Sequence, residues 1–190
     1  MPHQPTKRTN DEHKEARGPI MDLDQYIRDV PDFPKEGITF KDITPLLGDS
    51  KAYRFCLSSM ANLVADESFD KIAGIESRGF IFGAALAKEF GVGFIPIRKP
   101  GKLPWKTSQV EYVLEYGTDT IEIHQDAVQK GEKVLVVDDL LATGGTMEAS
   151  IRLLEDVGAI VPSCLVLVEL EFLGGRKRMG NKDLKALLKY

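Results

Sequence analysis

The feature that most restricts how this chain can fold lies at residues 133–157. Val134-Leu135-Val136-Val137 is an apolar run without polar alternation. It ends in Asp138-Asp139 and the segment Leu140-Leu141-Ala142-Thr143-Gly144-Gly145-Thr146, after which Met147, Ile151, Leu154 and Val157 recur at helical spacing. A strand apolar on both faces needs covering on both faces, which is the condition of a parallel sheet between layers of helices. The same grammar recurs elsewhere: a strand over Lys71 to Ile75 before a helix over Phe80 to Phe90, then strands over Val92 to Ile97, Lys133 to Asp138 and Ser163 to Leu170. The expected fold class is therefore α/β, a central mainly parallel sheet flanked by helices, with ligands at the carboxyl ends of its strands.

The flanking segments divide the chain. Residues 1–19 hold no Leu, Val, Phe, Tyr or Trp but many charges, so residues 1–20 are expected to be a mobile arm ahead of one domain over 21–190. Behind an Asp cap, Leu23, Tyr26, Ile27 and Val30 predict a helix over Asp22–Val30, closed by Pro31 and Pro34. Ala52, Cys56, Met60 and Leu63 predict another from about Lys51 to Asp66. Between the second and third of these strands, residues 99–124 carry Pro100, Gly101, Pro104 and Gly117 around an alternating stretch. This reads as a hairpin inserted over the sheet edge, with the length of a lid.

Charge and cysteine usage narrow the function classes. With 25 Lys and Arg against 29 Asp and Glu, the net charge of -4 supplies no field for gripping nucleic acid phosphates, so a cationic site must be local. Cys56 and Cys164 stand alone within apolar stretches, and His3, His13 and His124 are scattered, so neither a disulfide framework nor a zinc site is expected. No apolar run approaches the ~20 residues of a membrane span. A reducing cytoplasm, with no membrane and no nucleic acid partner, is the expectation.

The chemistry concentrates after the Val134 strand. Successive N–H groups of a glycine turn at a helix start form an anion nest suited to phosphate, and Thr143 and Thr146 add hydroxyls. Two adjacent carboxylates would repel that phosphate unless they face something else, and the vicinal hydroxyls of a sugar are natural partners for acceptor-only groups. Asp138, Asp139, Ala142, Thr143, Gly144, Gly145 and Thr146 thus point to a sugar phosphate. Neither G-x-x-x-x-G-K-[ST] nor a strand-bound G-x-G-x-x-G occurs, which sets aside the P-loop and dinucleotide sites. Arg78, just past a strand end, offers a forked donor, and Arg98, Lys99, Lys102 and Lys106 form the densest cationic cluster outside the termini. Of these Lys106 reads as a solvated charge, and the single tryptophan, Trp105, as packing of the closed lid.

The Val134–Thr146 segment resembles the phosphoribosyl-pyrophosphate signature of the type I phosphoribosyltransferases, and its LATGGT wording resembles the adenine-specific members. Phe33 to Leu47, Gly74 to Phe80, Ile97 to Pro104 and Leu114 to Gly117 are similar to further segments of that family, in its order. The resemblance implies that family's fold, with an N-terminal hood segment and a lid hairpin over about 99–124. It implies purine salvage: adenine and phosphoribosyl pyrophosphate give AMP and pyrophosphate, with Mg²⁺ carried by the substrate and no metal site in the protein. It implies pyrophosphate contacts from Glu76, Ser77, Arg78, Gly79, Arg98, Lys99 and Lys102. Catalytic roles fall on Arg78 and on Glu115, the lid carboxyl that manages a proton on the base; in relatives acting on 6-oxopurines an Asp stands where this chain has Ala142. Adenine is expected against Phe40, with main-chain groups of Thr39 and Lys41 at its edge, although Phe40 also reads as ordinary core. A homodimer is implied, for which apolar residues near Phe80, Phe82 and Phe90 offer a contact unless they are core. Two other readings stand beside this one: a phosphoribosyltransferase for another purine, and a non-catalytic regulator that senses phosphoribosyl pyrophosphate.

Overall fold

Residues 21–33, 36–113 and 117–190 are described by a computed structural model. The arm expected over 1–20 lies outside the described residues. Five parallel strands form the central sheet in the order β4-β3-β7-β8-β9, namely Gly93–Ile97, Lys71–Ile75, Val134–Leu141, Ser163–Glu169 and Asp183–Lys189. Alternation along β7 divides the core. Val134 and Val136 join Ala73, Ile75, Met147 and Leu154 on one face, while Leu135 and Val137 join Ile72, Phe82, Leu86 and Met60 on the other. Every residue of β8 is buried, as a strand covered on both sides must be.

The helices follow their predicted stripes with shifted ends. Helix α2 spans Ser50–Leu63, where the Asp49 carboxylate accepts from the amides of Lys51 and Ala52 at 2.9 Å, and it buries Ala52, Cys56 and Met60. It is preceded by a short helix, α1, at Thr44–Gly48 that the residue pattern alone did not assign. Helix α3 (Gly79–Phe90) ends on Gly91 at φ +68°, and α4 (Gly145–Asp156) begins at Gly144. Gly74 of β3 and Gly83 of α3 both face the Phe94 ring, and a Cβ on either would come within 2.9 Å of it, so strand and helix lie closer than larger residues would allow.

The predicted helix over Asp22–Val30 is corrected. Asp22 does cap, its carboxylate accepting from Asp24 N at 3.2 Å, but the helix is a single 3₁₀ turn over Leu23–Tyr26. The chain then becomes β1 (Arg28–Val30), antiparallel to β2 (Phe40–Asp42). Cross-strand pairing overrides the helical spacing here, reinforced by Arg28 donating to Asp42 at 2.8 Å. Phe40 beside Arg78 and Lys41 beside Tyr190 bring β2 to the residues that follow the carboxyl ends of β3 and β9, where the pair forms a hood.

Within 99–124, β5 (Thr107–Val113) and β6 (Thr118–His124) pair antiparallel and pack on α4, and a bridge between Arg98 and Glu122 ties them to the end of β4. Glu122 is 2% exposed and accepts from the amides of Lys102 and Leu103 and from Gln109. Burial works against its charge, but these donors hold its carboxyl below the usual range, so the loop 99–106 is folded around a buried anion. Of the aromatic residues considered for a dimer contact, Phe82 is core against Tyr53, Phe90 packs on Phe69 and Phe80 on Phe94; the large apolar side chain that this helix exposes is Ile81.

Candidate active site

Because β3 and β7 are parallel neighbours, their carboxyl ends open side by side, and a cleft of about 370 Å³ lies between the loops into which they lead. Its walls are Ile75, Glu76, Ser77, Arg78, Lys99, Tyr112, Asp119, Ile121, Asp138, Asp139, Leu140 and Thr146. The two strand ends and the hairpin therefore each contribute one side.

The β7 side is fixed by backbone. Gly144 sits at φ +82°, and a Cβ there would meet the carbonyl oxygen of Gly175 at 2.6 Å, while a Cβ on Gly175 would run into the carbonyl of Ala142. The turn 142–146 is thus clamped against Gly174-Gly175, with the N-terminus of α4 opening beneath it. Gly79 completes the close packing, since a Cβ there would lie 2.8 Å from the carbonyl of Val137 and 2.9 Å from Asp138 Oδ1. Asp138 Oδ1 accepts from the Asp139 amide at 2.9 Å. Burial, and then the negative charge of Asp139, raise the Asp138 carboxyl well above the ordinary carboxylate range. Asp139, 5% exposed, is met by Arg78 Nε at 2.6 Å.

Arg78, Arg98 and Lys99, the cations nearest the end of β3, each have a carboxylate partner. Arg78 pairs with Asp139 and stacks its guanidinium 5.1 Å from the centre of the Phe40 ring. Arg98 reaches Glu76 at 3.2 Å, and the Lys99 amide donates to Glu76 at 2.8 Å. Burial opposes the Glu76 charge, but these donors keep its carboxyl below the usual range. The Lys99 ammonium pairs with Asp119. Tyr112 accepts from Thr146 Oγ1 at 3.2 Å and donates to Asp119 at 3.3 Å, linking the hairpin to the phosphate turn.

Of the residues predicted from sequence, Glu76, Ser77, Arg78, Lys99, Asp138, Asp139 and Thr146 line one cleft; Ala142 to Gly145 lead into Thr146 without lining it, and Gly79 is in contact with Asp138. Arg98 stands behind Glu76, and the exposed Lys102 contributes its amide to Glu122 rather than a side chain to the wall. Phe40 is half-buried between Phe33 and Arg78, outside the core. Thr39 and Lys41 point the other way, into a second cleft of about 580 Å³ with Asp29, Leu170 and Tyr190. There Lys41 pairs with Asp29 at 2.6 Å and lies 3.9 Å from the centre of the Tyr190 ring. Glu115 lies outside the described residues. Sequence reasoning missed Tyr112, Asp119, Leu140 and Gly175. Tyr112 and Asp119 are direct cross-strand partners, a relation that only the register of the hairpin reveals.

The profile described as "Phosphoribosyl transferase domain" matches residues 51–185. The chain belongs to the phosphoribosyltransferase family. It is 55% identical to adenine phosphoribosyltransferase of Thermotoga neapolitana over 90% of this chain and 100% of that one. The crystal structure of adenine phosphoribosyltransferase from Thermoanaerobacter pseudethanolicus superposes with a TM-score of 0.87 at 54% identity, covering 88% of this chain and 98% of the other. The Saccharomyces cerevisiae adenine phosphoribosyltransferase, solved with adenine and an imino-altritol bisphosphate, gives a TM-score of 0.82 at 37% identity over 87% of this chain and 96% of that one. The sheet, hood and hairpin are thus the type I phosphoribosyltransferase fold expected from sequence.

Proposed function

We propose that this chain transfers the phosphoribosyl group of phosphoribosyl pyrophosphate to adenine, giving AMP and pyrophosphate. The observation that carries the reading is the convergence of Asp138, Asp139, Thr146 at the end of the clamped turn, and the cations Arg78 and Lys99 on one cleft. The turn takes the 5-phosphate on backbone N–H groups, with the Thr143 and Thr146 hydroxyls beside it. Asp138 and Asp139 accept from the ribose hydroxyls. Pyrophosphate then lies along residues 76–79 and Lys99, with Arg98 and Lys102 at its outer side. As the anomeric bond breaks, its electron pair leaves with the pyrophosphate, and Arg78 meets the charge that develops there.

Adenine rests against Phe40, with main-chain groups of Thr39 and Lys41 at its edge. A purine ring nitrogen bonds to the anomeric carbon, and the proton it displaces passes to the Glu115 carboxylate. Preference for adenine is supported by two features and by the names of the relatives above. Lys41 spends its ammonium on Asp29 and Tyr190, so it offers no donor to a 6-oxo group, and Ala142 adds no carboxylate to the turn. Mg²⁺ would arrive on the diphosphate oxygens and keep water as its other ligands, since Asp139 is engaged by Arg78 and both carboxylates are assigned to the ribose. Carried on the substrate in that way, it would neutralise leaving-group charge.

Among the described residues no helix is long and apolar enough to cross a membrane, and both cysteines are free, buried thiols. The proposed setting is the cytoplasm, and the proposed assembly a homodimer. Parallel assays of adenine, hypoxanthine, guanine and xanthine with phosphoribosyl pyrophosphate and Mg²⁺ test the function. AMP formation dominating by ~10² or more is expected, because buried polar groups matched to one base are left unpaired by another. Comparable turnover of a 6-oxopurine would overturn the adenine assignment.

A further inference from the structure

Four carboxylates line a cleft that has to admit a polyanion: Glu76, Asp119, Asp138 and Asp139. Three of them have tasks in the proposed reaction. Asp138 and Asp139 take ribose hydroxyls, and Glu76 shapes its loop by accepting from Arg98 and the Lys99 amide. Asp119 has none, although it stands on the hairpin wall with its Oδ2 at the Lys99 ammonium.

The Asp119 carboxylate is anchored independently of the lysine. Its Oδ1 accepts from the Thr120 amide at 2.8 Å and its Oδ2 from the Tyr112 hydroxyl at 3.3 Å, and Tyr112 is itself 8% exposed and bonded to Thr146. Lys99, by contrast, hangs on a flexible stem with 43% of its side chain exposed. When pyrophosphate occupies the cleft the ammonium can turn to it, but the carboxylate stays on the wall. It then competes for the same N–H donors and repels the same charge.

We propose that Asp119 is a positioning residue that limits how tightly the cleft holds pyrophosphate, by offering Lys99 a fixed competing carboxylate and thereby easing product release. This rests on the assignment of Lys99 to the pyrophosphate subsite. An exposed ion pair has little net worth, so the larger part of the effect is the repulsion between Asp119 and the bound polyanion, reduced by screening.

The test is calorimetric titration of magnesium pyrophosphate into the full-length protein and the variants Asp119→Asn, Asp119→Glu and Lys99→Ala, with AMP as the control ligand. Asp119→Asn keeps an oxygen for Tyr112 and Thr120, and is expected to bind pyrophosphate roughly three- to tenfold more tightly. Its affinity for AMP should not change. Product inhibition by pyrophosphate should strengthen by the same factor at constant KM for adenine. Asp119→Glu should return the affinity toward that of the parent, and Lys99→Ala should weaken it. A merely structural Asp119 predicts the opposite sign, since a loosened hairpin binds less well; unchanged or weaker binding in Asp119→Asn alongside weaker binding in Lys99→Ala overturns the inference alone. Parent-like affinity in Lys99→Ala would remove Lys99 from the subsite, and the inference with it.

Discussion

Two sides of one cleft are held by different physics. At the end of β7 the turn 142–146 is gripped main chain to main chain, with Gly144 against Gly175, Gly175 against Ala142 and Gly79 against Val137. Across from it, β5 and β6 reach the cleft through side chains, Tyr112 to Thr146 and Asp119 to Lys99, and their outer residues Trp105 and Val113 are 65% and 69% exposed. The first side admits no Cβ at Gly79, Gly144 or Gly175. The second touches the cleft through partly solvated polar bonds, each worth about 1 kcal/mol, while its body is docked on α4 through the buried Val110, Ile121 and Ile123. A phosphoribosyltransferase needs both: a rigid seat for the 5-phosphate that phosphoribosyl pyrophosphate and the nucleotide share, and polar groups that can exchange partners as the base and pyrophosphate come and go.

The largest expected effect falls on the hairpin segment of the sequence. Glu115→Gln should lower turnover by ~10²–10⁴ in steady-state assays while leaving phosphoribosyl pyrophosphate binding nearly intact, because a base-proton role is exercised only during the reaction. Unchanged turnover would take Glu115 out of the chemistry and leave the hairpin as a cover only.

Next comes a paired test of the clamp. Gly144→Ala should cost about 2–4 kcal/mol in denaturant unfolding, combining a positive φ with a collision against main chain that cannot move aside. Gly101→Ala, at φ +77° with nothing within 4 Å of its Cβ, should cost only about 1 kcal/mol. Equal losses would mean that backbone contact does not set the rigidity of the phosphate side.

A smaller effect concerns Asp138, whose carboxyl is raised by burial and by Asp139. A carboxyl raised in the folded state favours the protonated form there, so the native protein loses stability as pH climbs from the unfolded value of about 3.9 through the folded one. Asp138→Asn retains an acceptor for the Asp139 amide and escapes this penalty. Its melting temperature should exceed the parent's by an amount that grows from acidic to neutral pH, equivalent to about 1 kcal/mol. A gap that shrinks with rising pH would contradict the direction given for Asp138.

The rigid side is also the side that could be read from sequence. Val134 to Thr146 announces itself because an apolar run, two aspartates and a glycine pair are local, and the strand, turn and helix they specify are contiguous. The hairpin could be recognised as a departure over 99–124, but not the jobs of Tyr112 and Asp119, which depend on cross-strand register and on docking against α4. Gly175 was equally hidden, since its partner, Ala142, is far away along the chain. Two elements read wrongly or not at all for a related reason. Leu23, Tyr26, Ile27 and Val30 have helical spacing, yet pairing with β2 draws Arg28–Val30 into a strand. Asp183–Lys189 carries no strand-like alternation, yet it closes the sheet beside β8.

The central claim is that the turn beyond the two aspartates seats a phosphorylated pentose. Calorimetric titration of phosphoribosyl pyrophosphate into the parent and into Asp138→Asn/Asp139→Asn tests it most directly. The account predicts saturable binding to the parent and an affinity lower by at least about tenfold in the double variant, as expected for losing two hydrogen bonds to charged acceptors. Equal affinity in the two proteins, or no binding to the parent, would contradict it.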